Sequence, residues 1–223
     1  MIPEADELRT PQNIHHPDPR AKYFGVVDNF NQHENISRFI LSNTVPEEIA
    51  IHFATAKNLY LYAWHVYRFY PVAEQHAFST LEYALRLRLH EYVEQFKQEK
   101  RDREPTLRNL LKYAIDTKSL KNELFPSRLS WATQIAKERF SDQVHRKMIS
   151  DGLNEIIYDD SHVTPTEADL NYDWLSDFLI HIPRHRNDLA HGSSTLIPSV
   201  LHTFDGVSSI INQLYPESDS YYR

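Results

Sequence analysis

The stretch His181-Ile182-Pro183-Arg184-His185-Arg186-Asn187-Asp188-Leu189-Ala190-His191-Gly192 packs more potential chemistry into a few residues than any other part of the chain. Arginine presents a planar fork of donors that fits phosphate oxygens, histidine exchanges a proton near neutral pH, and an asparagine amide both donates and accepts. Two arginines, three histidines and one asparagine within one short segment suit phosphodiester chemistry. On an ideal helix Arg186 and His191 project about 140° apart, whereas Arg184, Asn187 and His191 share a face. Pro183 bears on that geometry by kinking the helix or by starting its ordered part, which would leave backbone N–H groups free for a phosphate.

Other residues compete for attention. Glu82 lies on a helical stripe with Phe78, Leu85 and Leu89, so its carboxylate needs a cationic partner; Arg86 one turn on is the local choice, and Arg184 or Arg186 across the molecule is the functional one. His181 and His185 have the spacing of two metal ligands on one helix, with Asp177 a turn earlier, but no further ligand motif accompanies them and no metal is expected. The run Tyr60, Tyr62, Trp64, Tyr67, Phe69 and Tyr70 is either a stacking platform for bases or, as its helical spacing favours, core or dimer interface. Lys97, Lys100, Arg101 and Arg103 alternate with acids and read as a solvated helix end.

These residues need helices to hold them. Residues 1–45, rich in proline, histidine, asparagine and aspartate, read as a partly irregular N-terminal arm with apolar knots at Tyr23–Val27 and Phe39–Leu41. A helix opens at Pro46-Glu47-Glu48 and runs to about Tyr70, where Pro71 ends or kinks it. A broad apolar face from Val72 to about Arg101 predicts a central helix. Shorter amphipathic helices are expected from Pro105-Thr106 and Pro126-Ser127, and another from Ser141-Asp142 with Gly152 inside it. Two more span about Ala168–His191 and Ile197–Tyr215, leaving 216–223 as a tail. The expected fold is all-α, a helical bundle over residues 46–215 with extra helices and the arm.

Composition narrows the functions. The formal charge of −7 excludes a bulk polycation, so any nucleic-acid contact must be local. The absence of cysteine removes disulfides, thiolate metal sites and a cysteine nucleophile. The acidic Met1–Glu7 is the reverse of a signal peptide, and the most apolar run, Leu59–Ala73, is interrupted by His65, Arg68 and Pro71; the expectation is a cytoplasmic protein with no membrane partner.

Arg186-Asn187-Asp188-Leu189-Ala190-His191 resembles the signature of the higher eukaryotes and prokaryotes nucleotide-binding (HEPN) superfamily: arginine, a polar residue that is often asparagine, then histidine four to six positions beyond the arginine. Ala190-His191-Gly192 matches a common local form, and Ala77–Leu89, with Glu82 in an apolar run, is similar to the family's early helix. The resemblance covers roughly residues 70–215 and implies an antiparallel bundle with the motif on a late helix. It further implies a dimeric, metal-independent endoribonuclease of a bacterial defence or toxin-like system, needing no cofactor. Its RNA would be cut in single-stranded or loop regions to 2′,3′-cyclic phosphate ends, and an antitoxin or regulatory protein would be a further partner. Within it Arg186 would stabilise phosphate, His191 transfer protons, Asn187 orient one of them, Arg184 add charge and Glu82 support the arginines. Other members are non-catalytic nucleotide- or protein-binding modules, which is the alternative. Ser193 stands where one subgroup carries a nucleotidylated tyrosine, so that control is not expected.

Overall fold

The computed structural model describes residues 6–21, 28–191 and 200–217. Among these are nine α-helices and no strand: α1 (Asn29–Ser37), α2 (Glu47–Tyr62), α3 (Phe69–Arg88), α4 (His90–Glu99), α5 (Leu107–Asp116), α6 (Arg128–Ser150), α7 (Glu167–Leu170), α8 (Trp174–Ala190) and α9 (Leu201–Leu214). The protein is all-α as expected, and no described helix is long and apolar enough to cross a membrane. The apolar knot at Tyr23–Val27, the Gly192-Ser193 pair, the expected helix start at Ile197-Pro198 and most of the tail lie outside the described residues.

The chain divides into two compact units, one formed by Met1–Leu120 with Phe178–Arg223, the other by Lys121–Asp177. In the first, α3 is the central helix and packs against α2, α9 and α5. Its buried stripe of Tyr70, Ala73, Ala77, Phe78, Leu81, Ala84 and Leu85 follows the helical repeat, and α9 answers with Phe204, Val207, Ile210, Ile211 and Leu214. Phe204 is fully buried and meets the rings of Phe39, Phe53 and Tyr60, a burial that contributes roughly 1.5–3 kcal/mol. At the end of α9 the Leu214 carbonyl, which has no helical donor, accepts from Arg88 Nε at 2.8 Å.

Several helix boundaries differ from those the sequence predicts. The helix from Pro46 stops at Tyr62, and Pro71 lies in the first turn of α3, where a missing N–H leaves no acceptor unsatisfied. The break is held by the arm. Asp18 donates its N–H to the Trp64 carbonyl at 2.8 Å and accepts from the Tyr67 N–H at 3.1 Å, two groups that a continuous helix would bond internally. Gln32 of α1, fully buried, donates to the Tyr60 carbonyl at 2.7 Å and to Tyr70 Oη at 3.0 Å. Farther on, Leu89 leaves helical geometry and separates α3 from α4.

In the second unit α6 is one helix where two were expected, because Ser141 bonds its hydroxyl to Tyr158 Oη at 2.9 Å instead of capping. Gly152 lies beyond its end at φ 67°, with the Leu153 N–H bonded to the Met148 carbonyl, so this glycine terminates a helix instead of interrupting one. Arg139 grips Asp169 through two bonds of 2.6 and 2.7 Å.

Candidate functional site

Helix α8 runs through Pro183 without interruption, so the proline neither starts it nor divides it. The Leu179 carbonyl loses its helical donor there, and the Pro183 ring is buried. From α8 the Arg186 guanidinium reaches α3: Nη2 donates to Glu82 Oε2 at 2.9 Å, while Nη1 makes a long bond of 3.4 Å to the Asn187 amide oxygen.

Glu82 does not choose between its two cations. Its other oxygen, Oε1, accepts from Arg86 Nη2 at 2.9 Å, so one carboxylate, largely buried, bridges both arginines. Arg86 also donates to Glu104 Oε2 at 2.6 Å and to the Pro105 carbonyl at 2.8 Å, and Lys97 reaches Glu104 Oε1 at 2.9 Å. The hydrogen bond from Lys97 holds the Glu104 carboxyl below its usual range. This chain of charge-assisted bonds ties α3, the α4–α5 connection and α8 together.

The same residues line an open cleft of about 770 Å³. Helix α3 gives Glu82 and Arg86, the start of α5 gives Arg108, and α8 gives Arg184, Arg186, Asn187 and Asp188. Of Arg184, Asn187 and His191, which ideal helix geometry puts on one face, the first two share the cleft, and Arg186, which that geometry sets apart from His191, lines it too. Arg108 and Arg184 are exposed and have no carboxylate partner among the described residues. Four arginines thus face three carboxylates across a cleft of a protein whose formal charge is −7. The planar guanidinium fork is of a shape that matches carboxylate and phosphate oxygens.

His191 lies apart from this lining. It is exposed, in the turn that ends α8, and its backbone N–H closes on the Asn187 carbonyl at 2.9 Å. The structure therefore brings Arg184, Arg186, Asn187 and Glu82 to one cleft, while His191, three residues after Asp188, is not among its described lining residues.

Two features escaped the sequence. Arg108 is one: it occupies the second position of α5, behind the Thr106–Asn109 capping box, and a cation in the first turn of a predicted helix was the available signal. The other is the partner that His185 takes: this histidine has its Nε2 3.1 Å from Oε2 of the buried Glu74, whose other oxygen accepts from Thr203. Its ring also stands edge-on to Phe78. No local pattern links Glu74 to His185. His185 is thus turned toward a carboxylate, and no group of three metal-binding side chains occurs among the described residues. Of the aromatic run, Tyr60, Tyr67 and Tyr70 are core, while Tyr62 is exposed. No family model, curated protein or solved structure matches this chain.

Proposed function

We propose that the chain is a metal-independent endoribonuclease of the HEPN type, acting as a homodimer in a bacterial defence or toxin-like role. The observation that carries this reading is the arginine-lined cleft in which Arg186 and Asn187 of the motif stand beside Arg184, with Glu82 fixing Arg186 from the neighbouring helix. RNA cleavage without a metal requires a base for the 2′-hydroxyl, an acid for the departing 5′-oxygen and cations for the charge growing on the phosphate. Arg186 supplies the cation. The exposed His191 of one or both protomers takes the 2′-hydroxyl proton and returns one to the leaving oxygen, which leaves a 2′,3′-cyclic phosphate and a 5′-hydroxyl. A dimer suits this division, since it offers two histidines and two arginines to one phosphodiester.

The test is incubation of single-stranded RNA with wild type, His191→Ala and Arg186→Ala in excess chelator. Either substitution is expected to lower the rate by about 10²–10⁴-fold with the fold intact. The Glu82–Arg186 pair favours a second reading, a non-catalytic nucleotide- or protein-binding bundle in which Arg186 only ties α8 to α3. That reading gains if wild type never cuts RNA and Arg186→Ala lowers the melting temperature by many degrees.

A further inference from the structure

The four arginines of the cleft are not equivalent. Arg86 and Arg186 are already held by Glu82, and Arg86 by Glu104 as well, so part of each guanidinium is committed to a carboxylate. Arg108 and Arg184 are exposed, line the same cleft from α5 and α8, and have no carboxylate partner among the described residues.

Arg108 is also misplaced by the rules of helix electrostatics. It occupies the second position of a ten-residue helix whose first turn carries no acidic residue, where the dipole disfavours a cation. Thr106 satisfies the Asn109 N–H, and the N–H groups of Leu107 and Arg108, like those at any helix start, have no acceptor within the helix. A local cost without a local partner points to function. An anion seated against Arg108 would offset that cost twice, by pairing the guanidinium and by facing the helix start.

We infer that Arg108 and Arg184 form a phosphate clamp across this cleft, each holding a backbone phosphate of single-stranded RNA, while Arg86 and Arg186 remain fixed by Glu82. The inference rests on the RNA reading of the same cleft. It adds to that reading a positioning residue, Arg108, on a helix that the Arg186–His191 motif does not include.

The experiment is equilibrium binding of a labelled mixed-sequence single-stranded RNA across a salt series, in chelator, with every protein carrying His191→Ala so that the RNA stays whole. Arg108→Gln and Arg184→Gln are each expected to weaken binding by about tenfold, the loss of one charge-assisted contact. Each should lower the slope of log K against log salt by about one. Lys112→Gln removes a charge from the same α5 at an exposed pair with Asp116 and should change neither quantity. Arg108→Lys keeps the charge and loses the fork, so it should keep the salt slope while losing part of the affinity. Arg108→Gln should melt no lower than its parent, since it removes a cation from a helix start.

Equal effects of Arg108→Gln and Lys112→Gln, or no RNA bound by the parent, would overturn the clamp. The two readings fail separately. Binding that depends on Arg108, combined with no cleavage by protein that retains His191, sinks the ribonuclease and keeps the clamp; cleavage with Arg108-independent binding does the reverse.

Discussion

Glu82 is the residue on which the cleft turns, because one largely buried carboxylate accepts from both Arg86 and Arg186. Replacing it by glutamine keeps the shape and removes the charge, leaving two guanidinium groups close together without their counter-ion. Glu82→Gln should therefore cost about 1–3 kcal/mol in denaturant unfolding and lower RNA cleavage, because Arg186 loses the contact that fixes it. Retained stability would show that solvent serves both arginines equally well. This pair was legible in the sequence, since Glu82 sat in an apolar stripe and needed a cation. The pairing of His185 with Glu74 was not legible: each lies on a different helix, and only packing brings them within 3.1 Å. Arg108 carries only a weak local signal, a cation in the first turn of a helix, and its place in the cleft follows from packing.

At the scale of elements, the apolar repeats of α3, α5 and α9 could be read directly, whereas breaks were misplaced wherever a distant group competes for the backbone. Asp18 does this at Trp64 and Tyr67, so no reading of residues 46–70 alone reveals the end of α2. Pro71 reads in the sequence as a helix end and Gly152 as a helix interior, yet the proline lies in the first turn of α3 and the glycine just past the end of α6. Gly206 poses the opposite case, a glycine in the interior of α9 at helical geometry. A methyl group there would meet Phe178 Cζ at 3.6 Å and Cε1 at 4.0 Å, ordinary contact distances. Gly206→Ala should stabilise the protein by about 0.5–1 kcal/mol through the lower backbone entropy of the unfolded chain. A fall in the melting temperature would show that α9 and Phe178 cannot accept the added carbon.

At the scale of the whole molecule, the N-terminal residues are fastened by carboxylates whose ionisation matters for stability. Asp6 accepts from Arg68 at 2.8 Å and from Arg20 at 2.9 Å, and these bonds lower its carboxyl from 3.8 to about 2. Burial acts to raise the Asp18 carboxyl, but the hydrogen bonds from Arg20 and the Tyr67 N–H outweigh it and the net shift is downward. A carboxylate with a depressed folded-state pKa adds stability that is complete above its unfolded value and is lost as pH falls through the folded one. The melting temperature should therefore drop between about pH 4 and pH 2, and Asp6→Asn should melt lower at neutral pH and lose stability less steeply over that interval. Identical acid profiles for wild type and variant would remove Asp6 from the account.

We propose that the cleft beside Arg186 and Asn187 performs phosphodiester chemistry with His191. The most direct measurement is the identity of the RNA ends left by wild-type protein and by His191→Ala in metal-free buffer. Wild type should leave 2′,3′-cyclic phosphate and 5′-hydroxyl ends, and the variant essentially intact RNA. Intact RNA in both, or equal cleavage by both, would contradict it.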